Sequence, residues 1–145
     1  SPNRQHKILK EFFMPQLTGF DHIHIYVPSR AEAAEWFKSV LGFKISESLR
    51  FWATENGPLV IENESATVHL ALFKQQDFIP STAIAFASDA DNFLKWKETL
   101  EAKGIKVRCS DHQLAWSLYF HDPYKNMYEI TTYDHAQVSQ VLLEK

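Results

Sequence analysis

The tetrapeptide GFKI at residues 42–45 recurs as GIKV at 104–107, and what surrounds it recurs too. Upstream of the first copy, Trp36, Phe37, Val40 and Leu41 have helical spacing; upstream of the second, Phe93, Trp96 and Leu100 do. Each helix follows a short extended run, FDHIHIYV at 20–27 and STAIAFAS at 81–88. Ser29 and Glu32 have capping-box spacing at the first helix start, and Ser88 and Asp91 sit three apart at the second. Gly42 and Gly104 suit left-handed helix stops. Residues 43–50, 51–62 and 67–74 then read as extended in the first copy, with turns at Asn56–Pro58 and Glu62–Ser65. WSLYF and MYEITTY supply later strands in the second. An internal repeat outranks other fold clues, because each copy is one structural unit. The expectation is α+β: two βαβββ modules, about 17–75 and 80–134, forming a curved mixed sheet with a helix on each outer face. A ferredoxin-like sandwich is the alternative, with fewer strands. Residues 17–134 then form a single domain. A helical extension, 1–16, precedes it and a C-terminal helix, 135–145, follows it.

Composition narrows the function classes. The 145-residue chain has a net charge of −3, which argues against a nucleic-acid-binding surface. No apolar run approaches the roughly 18 residues of a membrane span, and residues 1–16 have no apolar signal-peptide core. Cys109 is the single cysteine, so no internal disulfide and no cysteine cluster for zinc can form. A cytoplasmic location is expected.

The polarity of the first strand is unusual. Side chains alternate along a strand, so His22, His24 and Tyr26 share one face and Ile23, Ile25 and Val27 the other. That polar face looks into water or into a cavity where imidazole has work.

Two stretches, FDHIHIYVPSRAEAAEWFKSVLGFKI and SLYFHDPYKNMYEITTY, carry a resemblance. They resemble the opening D-H-x-x-x-x-V with its L-G-F helix end, and the closing Y-F-x-D-P-x-G-N-x-x-E, of the vicinal oxygen chelate superfamily. That group includes glyoxalase I, extradiol dioxygenases, fosfomycin-resistance proteins and bleomycin-binding proteins. The resemblance spans about residues 18–133 and implies a glyoxalase-like fold with a divalent metal on its concave face.

Carried over position by position, the resemblance implies His22 as the first ligand, His69 where glutamate is common, and Glu129 as the last. A fourth position, often histidine, is Ala83 here. Two histidines and a carboxylate suit Zn, Fe, Mn or Ni. His24 is expected too far along the strand to share the ion, and is instead a pocket wall or acid–base residue; His121 is the second acid–base candidate. Ser117 and Tyr119 correspond to substrate-contacting positions in fosfomycin-resistance proteins, and Phe51, Trp52 and Trp116 could wall an aromatic pocket. Tyr26 stands where glyoxalase I has an arginine for glutathione, which speaks against that substrate. Lys125 replaces the turn glycine, at a strain cost that points to a different turn type. His6, His112 and His135 are expected at the surface.

The resemblance implies a metal-dependent lyase, isomerase or dioxygenase acting on a small oxygen-bearing substrate, in a homodimer whose sites can combine modules from two chains. The alternative is a metal-free small-molecule or drug-binding protein of the bleomycin-resistance type. An interaction module is a weaker third reading.

Overall fold

The computed structural model describes residues 14–144; of the helical extension expected over residues 1–16, residues 1–13 lie outside that range and residues 14–16 are not helical. The repeat becomes two four-stranded sheets. The first holds β1 (Ile23–Val27), β2 (Lys44–Ile45), β3 (Leu59–Glu62) and β4 (His69–Lys74) in the order β1-β4-β3-β2. The second holds β5 (Ile84–Ala87), β6 (Arg108–Asp111), β7 (Trp116–His121) and β8 (Met127–Thr132) in the order β5-β8-β7-β6. The β1–β4 and β5–β8 pairs are parallel and the others antiparallel. This follows from connectivity: a helix, α1 (Arg30–Leu41) or α2 (Ala90–Ala102), carries the chain to the far edge, and two hairpins walk it back beside the first strand. A last helix, α3 (His135–Leu143), closes the described chain.

The helices start and stop for local reasons. Ser29 caps α1 by accepting the Glu32 N–H, and Gly42 ends it at φ 72°. There the Gly42 N–H bonds to the Lys38 carbonyl at 3.2 Å and the Phe43 N–H reaches back to the Phe37 carbonyl at 3.1 Å, satisfying two of the last carbonyls of the helix. At α2 the cap is Asp89, one residue beyond the expected Ser88, and it accepts the Asn92 N–H. Ser88 is engaged elsewhere, donating its hydroxyl to the Thr131 carbonyl. Residues 47–52, expected to be extended, form a 3-10 helix, Glu47–Trp52.

The aliphatic faces of both sheets share one core. Ile25, Val27, Leu70 and Leu72 from the first sheet and Leu118, Tyr128 and Ile130 from the second are buried in it with Phe37 and Phe93. Phe37 of α1 meets Tyr128 of β8 edge-on at 5.6 Å, and Phe43 meets Phe86 at 6.1 Å. Because strand side chains alternate, the polar faces of both sheets point away from this core.

Trp116, expected as a possible pocket wall, belongs to the core; its indole N–H donates to Ser139 of α3. His135 is partly exposed, stacked on Trp116 at 6.0 Å and 2.7 Å from Asp111. Lys125 does adopt the glycine-like conformation, at φ 75°, so the turn between β7 and β8 keeps its form despite the residue.

Candidate metal centre

His22 precedes β1 by one residue, and His24 and Tyr26 follow it along the same face. The register pairs Ile23 with Leu70, which places His69 at the adjoining position on β4. The two strands therefore bring His22 and His69 side by side. Both line a cavity of about 270 Å³, closed by Leu49, Trp52 and Pro58. Trp52 reaches it from the 3-10 helix. The following loop is fixed by Arg30, whose guanidinium donates to the carbonyls of Thr54 at 2.7 Å and Gly57 at 2.6 Å. A Cβ at Gly57 would lie 2.0 Å from the Trp52 carbonyl oxygen, so this turn requires glycine. Phe51 packs on Trp52 but is largely exposed and is not among the cavity walls.

The imidazoles are oriented. Asp21 Oδ2 lies 2.8 Å from His22 Nδ1, which makes Nδ1 the protonated nitrogen and leaves Nε2 with its lone pair. His24 Nε2 lies 3.1 Å from that His22 Nε2, and the two rings are 5.0 Å apart. The expectation that His24 stands too far along the strand from His22 does not hold at the ring nitrogens. Phe73 packs on the far side of His24 at 4.6 Å. His69 Nε2 faces Glu62 Oε1 at 3.8 Å, across the β3–β4 pairing. Tyr26 packs against Phe73 at 6.3 Å, is 41% exposed and does not line the His22–His69 cavity.

Glu129 lies on the polar face of the second sheet. Ser117 and Thr131 each donate to its Oε2 at 2.7 Å. Partial burial raises the affinity of Glu129 for a proton, but hydrogen bonds from Ser117, Thr131 and Tyr119 together outweigh it and hold the carboxyl below its ordinary range. Ser117 is fully buried, so its hydroxyl serves Glu129 and does not face open space. The Tyr119 hydroxyl also lies 3.0 Å from His112 Nε2, and the Arg108 guanidinium sits 4.1 Å above its ring. His121 is exposed at the end of β7, on the same face. Ala83 is exposed just before β5.

Of the three expected ligands, His22 and His69 thus come together, and Glu129 does not line their cavity. Among the described residues no three histidine, cysteine or carboxylate side chains form a ready metal cage. The donors nonetheless fit a divalent ion in type and preparation: a carboxylate-oriented imidazole, a second imidazole and an ionised glutamate. Sequence reasoning missed Asp21 as the orienting carboxylate, although its place next to His22 was a signal. It also missed Glu62, which only the β3–β4 register places opposite His69.

A family model described as Glyoxalase/Bleomycin resistance protein/Dioxygenase superfamily matches residues 19–130. No curated protein matches the chain in sequence. Several solved structures match its fold. One is a variant of the fosfomycin resistance protein FosX from Listeria monocytogenes, complexed with Mn(II) and 1S,2S-dihydroxypropylphosphonic acid; it is 15% identical, with a TM-score of 0.65, covering 84% of this chain and 97% of that one. Another is lactoylglutathione lyase from Agrobacterium tumefaciens, 17% identical, with a TM-score of 0.64, covering 81% and 96%. A third is a glyoxylase/bleomycin resistance protein/dioxygenase domain from Frankia, 15% identical, with a TM-score of 0.65, covering 81% and 93%. With its duplicated βαβββ architecture and a family match over most of its length, the chain belongs to the Glyoxalase/Bleomycin resistance protein/Dioxygenase superfamily.

Proposed function

We propose that the protein is a divalent-metal-dependent enzyme of the vicinal oxygen chelate type, acting on a small oxygen-bearing substrate. The observation that carries this reading is the Asp21–His22 hydrogen bond, which frees His22 Nε2 beside a cavity shared with His69 and Trp52. His22, His69 and Glu129 would hold the ion; the donor set accommodates Zn, Fe, Mn or Ni. Because the two polar faces point away from one core, Glu129 would meet His22 through a second copy, in a homodimer. A bound divalent ion supplies Lewis-acid stabilisation of negative charge on a substrate oxygen.

The chain's own groups divide the remaining work. Trp52 and Leu49 exclude water from one side of the cavity and offer a flat apolar wall. Tyr119, beside Glu129 and under Arg108, offers a hydroxyl to a substrate oxygen. Proton transfer falls to His24 or His121. Lyase, isomerase and dioxygenase chemistry all fit this frame.

A metal-free small-molecule binder is the second reading, favoured by Ala83 at a usual ligand position and by the aromatic wall at Trp52. Metal analysis of protein purified without chelator separates the two. The enzyme reading expects about one ion per chain, lost in His69→Ala. No uptake of Zn, Mn, Ni or Fe on reconstitution overturns it.

A further inference from the structure

We propose that His24 is itself a metal ligand, forming with His22 a two-histidine chelate on a single strand and supplying the donor that Ala83 lacks. The inference rests on the reading of this face as a divalent-metal site.

Its basis is the geometry of the two rings. Residues two apart on a strand have α-carbons roughly 6.5–7 Å apart, from a rise of about 3.3 Å per residue. The rings nevertheless lean together, 21° from parallel, until the two Nε2 atoms are 3.1 Å apart. An ion holding two imidazoles at about 2.0–2.1 Å sets their nitrogens about 3.0 Å apart at a right angle and about 3.4 Å apart at the tetrahedral angle. The observed separation falls between these values.

The surroundings prepare the pair. Asp21 fixes the proton of His22 on Nδ1, so His22 Nε2 is a lone pair without further change. In the metal-free chain His24 Nε2–H donates to that lone pair. Metal uptake replaces this hydrogen bond, and the His24 proton moves from Nε2 to Nδ1 through solvent. Phe73 backs His24 at 4.6 Å, and its register partner is the small Ala71, which leaves the ring room to keep this pose. His69, by contrast, is turned toward Glu62 at 3.8 Å. His24 thereby leaves the set of free bases, and His121 is the remaining acid–base candidate.

Calorimetric Zn(II) titration of the dialysed 145-residue chain tests this, alongside the variants His24→Phe and His24→Gln. Phe keeps the contact with Phe73 and Gln keeps polarity; circular dichroism melts check that each folds. The expected result is a Kd at least ~30-fold weaker in both variants, in line with the steep dependence of affinity on the ligand shell. X-ray absorption at the zinc edge should count one imidazole fewer in His24→Phe than in the wild type. Folded variants within threefold of wild-type affinity, with an unchanged imidazole count, overturn the role of His24 and leave the metal reading standing. A wild-type chain that takes up none of Zn, Mn, Ni or Fe overturns both.

Discussion

The two modules share one plan of strands and helices, yet their polar faces are built in opposite ways. On the first, the exposed His22 and His24 meet at 3.1 Å through their Nε2 atoms, and His69 borders the same cavity as His22. On the second, Glu129 is enclosed by the hydroxyls of Ser117 and Thr131, with Tyr119 beside it. The first face offers lone pairs that an incoming ion can use; the second has an anion already satisfied by its neighbours. Duplication thus preserved the scaffold while the donor chemistry on each copy diverged.

The hairpin turns differ in the same direction. The β3–β4 turn is organised by Asn63, whose Oδ1 accepts the backbone N–H groups of Thr67 and Val68 near the surface. The β7–β8 turn is organised by Asp122, which is buried and accepts from the N–H groups of Tyr124 and Asn126, the Asn126 amide and the Tyr128 hydroxyl. Burial and the Asp122 carboxylate push the Tyr128 phenol well up, so it remains a donor. Asn126 extends this network across the modules, donating to the Tyr26 carbonyl and accepting the Ser81 N–H. Asp122→Ala leaves several buried donors unpaired and should cost about 3–5 kcal/mol. Asn63→Ala, at a wetter turn, should cost about 1 kcal/mol. Urea unfolding of both variants checks the ratio; equal losses would break the contrast between the turns.

That contrast also marks what the sequence made legible. The repeat was readable because Gly42 and Gly104 both stop helices in the left-handed conformation, at 72° and 74°. His22, His69 and Glu129 were singled out by the family resemblance; parity alone showed that His22 and His24 share a face. The cap at Asp89 was missed by one residue because Ser88 is used by a neighbouring strand, a contact invisible along the chain. The 3-10 helix at residues 47–52 was missed because ESLRFW lacks both a strand alternation and a full helical stripe. The approach of His24 to His22 was missed because strand spacing fixes α-carbons and leaves ring tilt to the neighbours, here Phe73. His112 is exposed as expected, but its loop folds back through Gln113 at φ 73° to reach Tyr119.

The enclosure of Glu129 makes a pH-dependent prediction. Its folded carboxyl titrates below the ordinary value of 4.5, so the hydroxyl shell stabilises the fold above that pH. The contribution is lost as pH falls through the depressed folded value. Ser117→Ala should therefore cost about 1–2 kcal/mol at pH 7 in metal-free protein, from loss of a buried hydrogen bond to a charged group. The gap between wild-type and variant urea midpoints should narrow as pH falls through the depressed folded value, below which Glu129 is protonated in both folded and unfolded chains. A gap that does not change with pH would mean that Ser117 acts through packing alone, and the second face would lose its electrostatic character.

The smallest effect separates the two turns at the backbone. Both place a non-glycine residue in the left-handed region, Ala66 at φ 56° and Lys125 at φ 75°. An L residue there carries about 1 kcal/mol of strain that glycine does not, offset in part by the greater freedom glycine has in the unfolded chain. Lys125 is exposed and its N–H already reaches the Asp122 carbonyl at 3.2 Å, so the turn keeps its shape when the side chain is removed. Lys125→Gly should raise stability by about 0.5 kcal/mol, and Ala66→Gly by a similar or smaller amount. Thermal melts of the two variants measure this directly. A loss in Lys125→Gly together with a gain in Ala66→Gly would mean that the lysine side chain itself supports the second turn. The two copies would then differ in how they hold their backbones as well as in the chemistry they display.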